Sequence, residues 1–182
     1  MRKKISQIAE SLYAIAHAGI TKNIDFIEKA CKECYKNQES FSKEIRNSIG
    51  FEYMIIFINL IIRIAYDILG EDKAWKLLDG LEKIFWEDMS DAIDERNIDD
   101  STISEEEFKI HLKTRFNEYS EYKLFTGKDD NLKGTLFWEF GKNISKLSGH
   151  SYDARIVIAG STGAFAFAGE RQELEKIINQ II

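Results

Sequence analysis

Cys31 and Cys34, three residues apart, are the first groups in this chain whose spacing could do chemistry. Such a pair can supply half of a zinc site or a dithiol redox centre. Zinc needs two further ligands, and the sequence offers no second cysteine pair and no cluster of histidines. A redox pair opens a helix after a strand, whereas these cysteines continue an apolar stripe that begins with Ile24 and Ile27. Small buried hydrophobes are therefore their expected role.

The three histidines, His17, His111 and His150, are far apart in the chain. Glu107 and His111 stand four apart, but the duplicated Glu-x-x-His of a di-iron bundle and the HExxH of a zinc protease are both missing. No metal or cofactor is expected. A metal-dependent hydrolase would have to assemble its ligands across helices from these histidines and nearby carboxylates. Gly160-Ser161-Thr162-Gly163 is glycine-rich like a phosphate-cradling loop, yet it lacks the lysine and the spacing of one. Tight packing or a turn is the simpler expectation.

Two polar features inside apolar surroundings carry more information. Glu52, Asn59, Arg63, Tyr66 and Asp67 fall within an arc of roughly 100° on a helix whose other faces are Ile, Leu, Phe and Met. The favoured reading is a solvent-facing strip with Arg63 and Asp67 paired at i, i+4. The alternative is a strip lining an interior cleft, where unlike charges must pair to stay ionised. Arg115 projects from a face made by Phe108, Leu112, Tyr119 and Tyr122. It can lay its stem on that face, stack on the tyrosines, and be neutralised by Glu118, Glu121 or Glu139. The functional alternative is a cationic centre for an anionic ligand, framed by Tyr119 and Tyr122.

These groups need helices to position them. Ile5, Ile8, Leu12 and Ile15 recur at 3, 4, 3 spacing and predict a first helix from about Lys3 to His17, with Gly19 as its stop. Ile24, Ile27, Cys31 and Cys34 predict a second. A third is expected from Ser40 or Ser42 to Leu69, ended by Gly70, with Gly50 as a place to bend. Ala74, Leu78, Leu81, Phe85, Met89 and Ile93 mark a fourth from about Asp72 to Asp94, followed by an acidic connection over Glu95–Ile103. Ser104 and Glu107 form a capping box that opens a fifth helix to about Phe125, before a polar loop over Thr126–Lys133 containing Gly127. A sixth runs from about Thr135 to Leu147, with Phe137, Trp138 and Phe140 on more than one face. Tyr152–Gly169 reads as a small-residue helix or, alternatively, as a β-hairpin across 155–168 with Phe165 and Phe167 on one face. The helix is preferred, because an isolated two-stranded hairpin is marginal in water. A last helix spans Glu170–Ile182.

The expected fold is thus an all-α bundle or array of about seven or eight helices in one domain, residues 1–182. Length and composition agree: 182 residues, 44% hydrophobic and 31% charged, can enclose a core. Proline, which breaks helix interiors, is absent. A net charge of −6 with interspersed signs argues against nucleic-acid binding. Apart from Arg2-Lys3-Lys4 there is no basic run. The apolar stretch after that run is broken by Ser6, Gln7, Glu10 and Ser11, unlike a secretory signal. The most apolar segment, Phe51–Leu69, contains Glu52, Arg63 and Asp67, and its charge-free core is about half of the ~20 residues that cross a bilayer. A cytoplasmic protein without membrane contact is expected. With no catalytic constellation and a surplus of aromatic and aliphatic residues on the C-terminal helices, the leading expectation is protein–protein contact or self-association. The alternative is a small-molecule binding protein or enzyme with an inter-helix pocket around Arg63 and Arg115.

Overall fold

The computed structural model describes residues 2–94, 104–124 and 132–182. The expected connection Glu95–Ile103, the tip of the 126–133 loop with Gly127, the expected helix end at Phe125 and the side chain of Ile93 lie outside the described residues. Seven α-helices follow in order: α1 Arg2–Cys34, α2 Lys43–Leu69, α3 Glu71–Asp94, α4 Glu105–Ser120, α5 Leu136–Leu147, α6 Ala154–Gly169 and α7 Arg171–Ile178, with a 3-10 turn at Asn179–Ile181. There is no strand among the described residues. The chain is an all-α array.

The core forms around α2. Ser42 caps its start by accepting the N–H of Ile45 at 3.4 Å, and Gly70, at φ 75°, ends it. Fourteen of its residues are buried, on every side, which is what a helix apolar all round requires. It touches all six other helices. By length and composition α2 could cross a membrane, but 78% of its most apolar window is buried inside the fold.

The first boundary differs from expectation. Gly19 does not stop the first helix; α1 runs unbroken for 33 residues. Ala16 and Ile24 are buried, with half-buried Ile20 between them, so the apolar stripe continues through the glycine and reaches Ile27 and Cys31. A side chain at Gly19 would stand 3.7 Å from Phe57 of α2. Packing against α2 overrides the weak helix preference of one glycine.

Residues 154–169 are one helix, not a hairpin. Their glycines serve close approach. A Cβ on Gly160 would lie 2.9 Å from Ile144 of α5, and one on Gly163 would lie 2.6 Å from Asn23 of α1. Gly141 of α5 is tighter still, since its Cβ would come within 2.3 Å of the Val157 carbonyl. Ser161 Oγ donates at 2.7 Å, its two acceptors being the carbonyls of Phe137 and Val157. Gly160, Ser161 and Gly163 are therefore contact residues of a mid-helix segment with α5 and α1, and Thr162 between them is exposed. Ile181 is buried at the close of the chain, while Ile182 is exposed.

Candidate functional site

The polar groups singled out in the sequence meet along the seam between α2 and α4, and they face one another. Glu52 is 8% exposed. Its carboxylate accepts two bonds from Arg115, Nε to Oε1 at 2.9 Å and Nη2 to Oε2 at 3.0 Å. Tyr119 donates its hydroxyl to the same carboxylate at 2.5 Å, and that hydroxyl accepts from Arg115 at 2.8 Å and Asn143 at 3.2 Å. Arg115 also pairs with Glu118 and lies over the Tyr119 ring, 4.8 Å from its centroid. Burial alone would pull the guanidinium pKa down, but Glu52 and its neighbours hold it above the ordinary value. Burial, then the Glu52 charge, pushes the Tyr119 phenol well up, so it stays a donor.

About two turns further along α2, Asn59 is fully buried and donates to Ser120 Oγ at 3.0 Å. Arg63 donates to Asn59 Oδ1 at 2.9 Å and to the carbonyls of Tyr119 and Tyr122 at 2.8 and 2.9 Å. Those carbonyls lie in the last turn of α4 and just past its end, where a cation is favoured and unpaired acceptors need donors. Helix α4 accordingly ends at Ser120, short of the expected boundary. The solvent-strip reading of α2 is corrected at Glu52, Asn59 and Arg63, which turn inward. It holds at Tyr66, 51% exposed, and at Asp67, which pairs with Arg171 of α7 at 3.3 Å rather than with Arg63. Tyr122 is half-buried, and its contribution to the seam is a backbone carbonyl. The structure therefore joins Glu52, Asn59, Arg63, Arg115 and Tyr119 in one buried belt and leaves Tyr66 and Asp67 outside it.

The cysteines are free thiols. Cys31 is wholly buried, which pushes its pKa up to about 11, and Cys34 is half-buried. His150 stacks on Tyr35 with ring centroids 4.0 Å apart and meets Gln38 Oε1 at 2.8 Å. His17 stands 3.7 Å from Asp88, and the His111 ring lies beside Phe51. Among the described residues no three His, Cys, Asp or Glu side chains gather as a metal site would require. No family model, curated protein or solved structure matches this chain.

Two features were not singled out by sequence reasoning. The first is a cleft of about 630 Å³ with walls from α1 to α5, including Tyr13, His17, Phe51, Phe85, Asp88 and His111. It draws on helices distant in the chain, so no local spacing announces it. The second is the outer face of α6, where Ile158 is 53% and Phe165 49% exposed, with exposed Thr162 between them. A signal for this face was present: from Ile156 to Gly169 no residue carries a charge.

Proposed function

We propose that the protein is a cytoplasmic helical interaction domain that self-associates through the outer face of α6. The observation that carries this reading is the charge-free run of α6, whose inner face is filled by α1 and α5 while its outer face still shows Ile158, Thr162 and Phe165 to solvent. A contiguous exposed apolar strip on a folded chain marks an interaction surface more often than scattered single residues do. A second copy is the fitting partner. Two such strips can meet about a two-fold axis with no like charges opposed, although each chain carries −6 elsewhere. The small side chains of Ala154, Thr162 and Ala166 allow close approach of two helices. Free thiols at Cys31 and Cys34 fit a reducing compartment.

The anionic-ligand reading around Arg63 and Arg115 has less support, because both guanidinium groups are engaged by protein carboxylates and carbonyls. Light scattering on fractionated protein from micromolar to near-millimolar concentration tests self-association. The wild-type mass should rise towards that of a dimer, and Ile158→Glu with Phe165→Glu should hold it at 21.1 kDa. A wild-type mass that stays monomeric throughout, or a variant that associates as well as the wild type, would defeat the reading.

A further inference from the structure

The 630 Å³ cleft lies within the size range of small-molecule sites. Its walls are mainly apolar, with Ile20 and Ile24 from α1, Phe51 and Met54 from α2, and Phe85 and Met89 from α3. Six titratable side chains also face it, together with Asn47 and Ser48. Glu52 has both oxygens engaged by Arg115 and one shared with Tyr119. Arg46 is held between Asp25 at 2.6 Å and Glu28 at 2.9 Å. His111 lies against the Phe51 ring, 5.2 Å between centroids. Asp88 is different. It is half-exposed, and it accepts the Tyr13 hydroxyl at 2.8 Å, a neutral donor. Among the described residues, its one ion-pair partner is the His17 imidazole, 3.7 Å away.

The geometry points to a binding site for a small organic cation, an amine carried on an apolar body, with its head at Asp88 and its body against Phe51, Phe85 and Ile24. Three features recommend that class. Asp88 is the one carboxylate of the cleft that no arginine or lysine among the described residues pairs with. The Tyr13 and Phe85 rings, 6.2 Å apart between centroids, supply aromatic faces of the kind that attract cations. The apolar walls suit a hydrocarbon body and disfavour a strongly hydrated one. An anion would meet Asp88 and Glu52 with no free arginine to receive it. This site is independent of the α6 surface and stands or falls separately.

Calorimetric titration with three probes of equal chain length separates head from body: octylamine, octanol and octanoate, each below its aggregation threshold. Wild-type protein should bind octylamine at least tenfold more tightly than octanoate, with octanol between them. Asp88→Asn keeps an oxygen to accept from Tyr13 and removes the charge. It should erase the preference for the amine while leaving octanol binding unchanged. Met89→Trp fills the cleft from a half-buried wall position and should abolish binding of all three, with an unchanged circular-dichroism spectrum as the folding control. Equal or tighter binding of octanoate would overturn the cationic assignment. Failure of every probe to bind the wild type, or an amine preference that survives Asp88→Asn, would overturn the site.

Discussion

The α2–α4 seam and the helix α6 reverse the usual distribution of polarity. At the seam, two arginines, a glutamate and an asparagine are turned inward, and each finds a partner. On α6, Ile158 and Phe165 are about half exposed on a helix with a single charged residue, Arg155. The outer face of α3 shows the ordinary arrangement, with Asp72, Lys76, Asp79, Lys83 and Glu87 all exposed at helical spacing. Burial at the seam is forced by α2, which between Ile49 and Ala65 is surrounded and has no exposed residue, so its polar groups there must turn to other helices. Exposure on α6 follows from its glycines, because α1 and α5 pack against Gly160 and Gly163 and leave Ile158 and Phe165, the latter edge-on to Phe137, about half exposed on the opposite side. Chemically suggestive residues are thus consumed in holding helices together, and the bland apolar ones are left for contact.

The largest effect expected from breaking this contrast is at the seam. Arg115→Met strands a buried Glu52 carboxylate and should cost about 3–5 kcal/mol in urea denaturation, most of it recovered when Glu52→Leu is added. A loss below ~1 kcal/mol would mean the pair is hydrated like a surface ion pair. Alkaline titration comes next. Burial raises the phenol pKa values of Tyr119 at the seam and of Tyr53, which donates to the α6 carbonyl of Gly160 at 2.8 Å, and the same holds for Tyr13. The unfolded chain ionises these phenols near pH 10 and the folded chain does not, so stability is intact below that value and falls as pH rises above it. By pH 11 the loss should be about 1.4 kcal/mol for each tyrosine. Tyr53→Phe and Tyr119→Phe should each flatten the decline by one such share, which a series of melting temperatures against pH would show.

Smaller effects separate the two sides of α6. Gly141→Ala drives a methyl into the Val157 carbonyl and should cost about 1–3 kcal/mol, whereas Gly169→Ala meets nothing within 4 Å and should cost none. Smallest is Ile158→Glu, which should leave monomer stability within about 0.5 kcal/mol of wild type while weakening association. Equal costs for Gly141→Ala and Ile158→Glu would erase the distinction between a packed and an outward face.

Much of the helix pattern was legible. Ser42, Gly70 and the Ser104–Glu107 capping box act at the ends where local chemistry places them. The polar arc on α2 was also visible, but its direction was not. Periodicity shows which residues share a face and is silent on what covers that face. Arg115 was recognised as needing a neutralising partner, and Glu118 is one, but its bidentate partner Glu52 lies 63 residues earlier on another helix. Gly19 misled because one glycine weighs against a helix locally, while Phe57 and the continuing stripe weigh for it only in the folded chain. The cleft was out of reach for the same reason, since its walls are joined by tertiary packing alone.

Oxidative cross-linking of two variants, each with one introduced cysteine beside the wholly buried Cys31, compares the two outer faces most directly. Thr162→Cys places a thiol mid-way along the exposed strip of α6, and Lys83→Cys places one on the charged face of α3, with Cys34→Ser in both backgrounds. We expect Thr162→Cys to form a covalent dimer rapidly and in proportion to the associated fraction, and Lys83→Cys to remain largely monomeric. Equal yields from both positions, or faster pairing at Lys83→Cys, would contradict the assignment of α6 as the surface through which this protein meets its own copy.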